Sequence, residues 1–123
     1  MAGPLRVVFA GTPEFSLPTL QALQDSSHSL VWVYSKPSRC RGRGQKLQPT
    51  AVTSWCQAHG VPCYQPERIG ASDAHRLSEE KIDVLVVVAF GQIIPEEVLN
   101  APRFGGVNVH ASLLPRWRGA API

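Results

Sequence analysis

Two polar residues, Asn108 and His110, stand two positions apart in the stretch Val107–His110. If that stretch is a strand, both side chains point to the same face. An amide donates a hydrogen bond without titrating, and a protonated imidazole donates a charge-assisted one. Such a pair suits one task well, holding the oxyanion of a tetrahedral acyl-transfer intermediate, where each donor supplies about 2.7–4 kcal/mol. An Asn and a His at a strand end can equally be structural, with their hydrogen bonds met by a neighbouring turn. The two residues alone leave both readings open.

A second feature is charge. Lys36, Arg39, Arg41, Arg43 and Lys46 place five cations in eleven residues with no acid among them, whereas the whole chain carries only +3. The remainder is therefore slightly acidic. Arg and Lys in such a run contact phosphates without reading bases; a solvated surface loop is the plainer alternative. Pro37, Gly42, Gly44 and Pro49 predict a loop throughout. Gly42-Arg43-Gly44 lacks the third glycine of a dinucleotide fingerprint and follows the second strand, so that reading is rejected. Gly11-Thr12-Pro13 offers half a phosphate cradle at most, because proline has no amide donor.

The elements that must position these residues alternate from the start. Leu5–Ala10 reads as a strand buried on both faces, ended by Gly11-Thr12-Pro13. Leu17, Leu20 and Leu23 recur at helical spacing, with Pro18 in the first turn. Leu30–Tyr34 is the second strand, and 50–59 a helix ended by Gly60. Residues 61–64 form a short strand that Pro62 consigns to an edge. A polar helix over 71–81, capped by Gly70 or Ser72, precedes the apolar strand 84–89. A short helix over 95–99 and the strand 107–110 complete the series. This alternation predicts an α/β fold: a doubly wound, Rossmann-like, mostly parallel sheet with helices on both faces. In such sheets ligands gather outside the carboxyl ends of the strands. The segments leaving those ends are 11–15, 36–49, 90–94 and 110–119, which hold the chemically unusual residues of the chain.

The run Asn108-Val109-His110-Ala111-Ser112-Leu113-Leu114-Pro115-Arg116-Trp117-Arg118-Gly119 resembles the signature of the 10-formyltetrahydrofolate-dependent formyltransferases, N-[hydrophobic]-H-x-S-L-L-P. The opening Phe9-Ala10-Gly11-Thr12-Pro13-Glu14-Phe15, the basic run 42–47 and Val87-Val88-Ala89-Phe90-Gly91 extend the likeness over essentially the whole chain. They resemble most the branch of the family that acts on methionyl-tRNA. The resemblance implies formyl transfer from 10-formyltetrahydrofolate, without a metal, to the α-amine of initiator methionyl-tRNA. It assigns the catalytic pair to Asn108 and His110. Folate binding falls to Ser112, Leu113, Leu114 and Pro115, and to Phe90, Gln92, Ile93 and Ile94. tRNA contacts fall to Arg43, with Arg41 and Lys46, and the methionyl pocket to Phe15. Trp117 would stack on a base or pack on the folate loop.

The family's carboxylate partner for His110 lies beyond Ile123, as do further strands and a tRNA-binding domain. Residues 1–123 are thus expected to form the N-terminal part of a catalytic domain, with the sheet incomplete at its C-terminal end, and to be inactive alone. Two other readings stand beside this one. The first is a formyltransferase for a small amine such as a nucleotide sugar or glycinamide ribonucleotide; the second is a non-catalytic folate- or RNA-binding piece. Cys40, Cys56 and Cys63 are odd in number and lack metal-site spacing, so reduced thiols are expected. With neither a signal peptide nor a membrane span, a cytoplasmic location is expected; separately, the chain is expected to be a monomer. His28, His59 and His75 receive no role.

Overall fold

Val7, Val8, Phe9 and Ala10 are all buried, which requires cover on both faces of one strand. β-Branched and apolar side chains in a run have no wet side to offer, so the strand takes the centre of a sheet. In the computed structural model, which describes residues 3–41 and 46–109 (backbone alone for 39–41, 46 and 47), that strand is β1, Arg6–Gly11. A 3-10 turn at Glu14–Ser16 leads into α1, Leu17–Asp25, with Pro18 in its first turn as expected. β2 is Ser29–Tyr34, β3 Arg39–Arg41, β4 Lys46–Gln48, α2 Ala51–His59 and β5 Cys63–Tyr64. α3, Ala71–Glu79, β6, Val84–Val88, α4, Glu96–Leu99, and β7, Gly106–Asn108, follow.

The main sheet has the order β5-β2-β1-β6-β7, and all four of its pairings are parallel. The chain runs outward from β1 to β5, then crosses back to β6 and runs outward again. The order reverses between β1 and β6, so a doubly wound switch point lies there, as the α/β alternation predicts. Alternate residues fill two cores. Val8, Ala10, Trp32, Tyr34, Leu85 and Val87 pack with α3 and α4 through Leu77 and Val98. Phe9, Val33 and Val88 pack with α1 and α2 through Leu20, Val52, Trp55 and Cys56. Each such buried side chain contributes about 1.5–3 kcal/mol relative to exposure.

Helix limits follow local chemistry. Thr50 caps α2 by accepting the Thr53 N–H at 3.0 Å, and Gly60 ends it at φ 68, where a Cβ would be strained. α3 starts at Gly70, whose N–H donates to Asp73 Oδ2 at 2.9 Å. The other carboxylate oxygen, Oδ1, accepts the buried Tyr34 hydroxyl at 2.9 Å. That contact ties the helix start to the sheet. Burial, reinforced by Asp73, pushes the Tyr34 phenol well above its ordinary range, so it stays a donor. β5 is short and at the edge, as Pro62 implied.

One expectation is corrected. The basic segment is not all loop: β3 and β4 pair antiparallel, with Arg39 opposite Gln48 and Arg41 opposite Lys46. Glycine and proline are absent from both three-residue strands, and Gly42 and Gly44 fall between them. The expected strand 107–110 is likewise shifted: β7 begins at Gly106, and Val109 N–H still donates to Val87 O at 2.8 Å. Cys56 and Cys63 carry free thiols.

Tyr34→Phe should leave Asp73 Oδ1 buried without its donor and lower stability by about 1–3 kcal/mol. A urea denaturation midpoint within error of the parent would show that Asp73 does not depend on this bond.

Candidate functional site

The carboxyl ends of β1, β2 and β6 are joined by one hydroxyl. Thr12 Oγ1 donates to Phe90 O at 2.7 Å and accepts the Lys36 N–H at 3.2 Å. Beside it, the buried Ser16 hydroxyl donates to Val88 O at 3.0 Å. Gly11 permits this convergence, because a Cβ there would stand 2.6 Å from Phe9 Cε2 and 2.9 Å from Val88 O. The loop leaving β6 turns through two left-handed residues, Ala89 at φ 51 and Gly91 at φ 89. An alanine held so costs about 1–3 kcal/mol, and such strain clusters at ligand-binding edges.

Phe90, assigned to folate by resemblance, is 2% exposed and packs in the core of the α3 face. Its side chain is therefore a core side chain, and its backbone faces the switch point through the Thr12 contact. Gln92 is a strut: Oε1 accepts Ile69 N–H at 3.1 Å and Nε2 donates to Pro66 O at 2.9 Å. It fixes the loop after β6 to the segment before α3. Ile93 is 93% exposed, and Ile94 is half-buried against the core. Glu67, Arg68, Ile69, Gln92, Ile93 and Pro95 line a cleft of about 440 Å³. An exposed isoleucine beside a locked amide is a surface that a flat, partly apolar ring can cover.

Asn108 lies at the carboxyl end of β7, exposed, in register with Val87 of β6. By that register it is on the sheet face that carries α3 and α4. Phe15 is 52% exposed in the turn after β1. His110, Ser112, Leu113, Leu114, Pro115 and Arg43 lie outside the described residues, as does Trp117. The backbones of Arg41 and Lys46 are paired in the β3–β4 register. The basic excursion leaves and re-enters the sheet edge at one place, where the Ser35 and Thr50 hydroxyls are 2.7 Å apart. So β1, β2 and β6 bring their ends together, and β7 sets Asn108 beside β6.

Sequence reasoning did not assign Thr12, Ser16 or Lys36. A hydroxyl directly after a buried strand was the available signal, but its partners are 24 and 78 residues away. The histidines given no role have local ones. His28 Nδ1 accepts Leu5 N–H at 2.9 Å, His59 stacks on Trp55 at 4.0 Å, and His75 pairs with Glu79. Among the described residues no group of three His, Cys, Asp or Glu could hold a metal ion, and no helix is long and apolar enough to cross a membrane.

Residues 5–123 match the family model described as formyl transferase. The chain is 55% identical over 124 residues to the methionyl-tRNA formyltransferase of Chromohalobacter salexigens, covering all of this chain and 38% of that protein. It is 55% identical over 120 residues to that of Pseudomonas paraeruginosa, covering 97% of this chain and 39% of the other. With the enzyme of Pseudomonas syringae pv. tomato it shares 54% over 124 residues, 100% of this chain and 40% of the relative. The chain thus spans about two-fifths of the length of these relatives. A parallel sheet with its switch point at β1 and β6, and a match over nearly every residue, lead to one conclusion: this chain belongs to the formyl transferase family.

Proposed function

We propose that this chain serves the transfer of a formyl group from 10-formyltetrahydrofolate to the α-amine of methionyl-tRNA. The observation that carries the reading is Asn108, an exposed amide at the carboxyl end of β7, next to the strand that borders the switch point. The relatives quoted above bear the name of that reaction. In the reaction the amine nitrogen attacks the formyl carbon, and the carbonyl oxygen takes up the displaced electron pair. Asn108 and His110 donate to that oxygen. The bond from carbon to N10 then breaks, and one proton passes from the attacking nitrogen to the departing one.

Around this centre the folate is held by Ser112, Leu113, Leu114 and Pro115. Ile93 and Ile94 cover it from the loop after β6, with Gln92 fixing that loop and Phe90 acting through its backbone. Phe15 meets the methionyl side chain; its half-exposed ring in the turn after β1 supports that role. Arg43, Arg41 and Lys46 contact acceptor-strand phosphates. The tied base of the excursion supports this, since Ser35 and Thr50 join its two ends at the carboxyl edge of the sheet.

The test uses a protein of the relatives' full length that carries this chain. Asn108→Ala should lower kcat for formylation of methionyl-tRNA about 10²–10³-fold, the cost of one oxyanion donor, with the thermal midpoint little changed. Activity within tenfold of the parent would remove Asn108 from the centre. A protein that formylates a nucleotide sugar or a ribonucleotide amine, and leaves methionyl-tRNA untouched, would overturn the substrate. Arg43→Ala should raise KM for tRNA, spare folate binding, and flatten the log–log salt dependence by roughly 0.7–0.9 per lost phosphate contact. An unchanged slope in filter binding would leave the segment as solvated surface.

A further inference from the structure

The β5 side of the sheet brings two thiols together. β5 pairs with β2 in parallel register, with Cys63 beside Val33. Neighbours in register share a face of a sheet, and Val33 packs on the face that α1 and α2 cover. Cys63 is therefore turned toward α2, and it packs against that core. Cys56 of α2, 1% exposed, belongs to the same core. Thr53 stands three residues before Cys56, on the same stripe of the helix. Its hydroxyl lies 3.9 Å from Cys63 Sγ. Cys63 thus abuts the stripe of α2 that carries Cys56, and the two side chains are neighbours. The backbone between them is tied as well: Cys56 O accepts the N–H of Gly60 and, at 3.0 Å, that of Val61.

The two sulfurs are free thiols but not equivalent. Cys56 is shut into the core, whereas Cys63 is half-buried on an edge strand of two residues. Hydrogen-bond donors surround Cys63. The Cys56 thiol, with help from the Thr53 hydroxyl, brings it down to about 7 against the opposing effect of burial. The same contact, with burial, pushes the Cys56 thiol up, so it keeps its proton and donates. Thr53 Oγ1 accepts the Thr50 hydroxyl at 2.9 Å, which leaves its own hydrogen for the sulfur. A thiolate held by donors at a partly open position is the reactive form of cysteine, and a protonated buried thiol is inert until an electrophile is placed beside it.

We infer that Cys63 and Cys56 are an oxidisable pair, in which a hydroperoxide oxidises Cys63 and Cys56 resolves it to a disulfide joining β5 to α2. In the first step the Cys63 thiolate attacks one peroxide oxygen. The S–O bond forms, the O–O bond breaks, and the departing hydroxide takes up the thiol's proton as water. Cys63 is oxidised to the sulfenic acid and the peroxide is reduced. In the second step the Cys56 sulfur attacks the Cys63 sulfur. The S–S bond forms, the S–O bond breaks, and hydroxide leaves with the Cys56 proton as a second water. Two thiols and one hydrogen peroxide become one disulfide and two waters. This chemistry does not depend on formyl transfer, so its test does not use that reaction.

A native protein of the relatives' full length that carries this chain is treated with hydrogen peroxide, denatured in a maleimide and cut with trypsin. Cleavage after Lys46 and Arg68 releases residues 47–68, which hold Cys56 and Cys63 and no third cysteine. The expected peptide from treated protein has lost two hydrogens and takes up no maleimide. After reduction with dithiothreitol it takes up two. In Cys56→Ala the sulfenic acid should persist and be trapped at Cys63 by dimedone. In Cys63→Ala, Cys56 should stay reduced and take up maleimide in full. The parent protein decides the disulfide by itself if either variant fails to fold. Both cysteines still labelled by maleimide after peroxide would overturn the inference. So would a bridge from either one to Cys40, or dimedone found on Cys56 in place of Cys63.

Discussion

The hydroxyl of Thr12 is the point on which the ligand edge depends. A parallel sheet ends with unpaired carbonyls and amides, which the sheet itself cannot satisfy. Here one side chain satisfies two of them from two different strands, Phe90 O after β6 and Lys36 N after β2. Ser16 takes a third, Val88 O. The strand between, β1, is short of space at its end, and Gly11 is the residue that fits. With its backbone groups paired internally, the edge can present side chains outward instead of seeking water.

From that clamp the other parts take their places. The loop after β6 is forced through left-handed Ala89 and Gly91, which turn it back over the sheet. Gln92 then braces it against the segment before α3 with both ends of its amide. The basic excursion starts from the same clamp at Lys36 and returns through the Ser35–Thr50 contact into α2. Among the described strands β7 pairs with β6 alone, and it sets Asn108 at the rim.

Much of this is legible in the sequence. Helical spacing of Leu17, Leu20 and Leu23 marked α1, and the helix read over 50–59 is α2, which starts one residue later with Thr50 as its cap and ends at Gly60 as expected. The apolar runs 5–10 and 84–89 read as doubly covered strands, and those are the two that flank the switch point. The basic segment misled because glycine and proline counts describe a window, whereas strands of three residues fit between such residues. Phe90 was not placed by the sequence. Its folate role is what the resemblance implies, and a resemblance does not say which way a side chain faces; after the left-handed Ala89 the Phe90 ring is buried in the core. Thr12 could not be found from its neighbours, because its two partners come from other strands. Lys36 was visible only as one of five charges; the approach of its stem to Gly91 is a tertiary feature.

The central claim is that substrates meet this fold at the carboxyl edge of its sheet, around the Thr12 clamp. Hydrogen–deuterium exchange on a protein of the relatives' full length, with and without a stable formyl-folate analogue and methionyl-tRNA, tests it most directly. Protection should appear after β1, β2, β6 and β7, at residues 11–16, 36–41, 89–94 and 106–109, with slow exchange at Lys36 slowed further. Protection confined to the opposite edge, at 26–28, 80–83 and 101–105, would contradict the account.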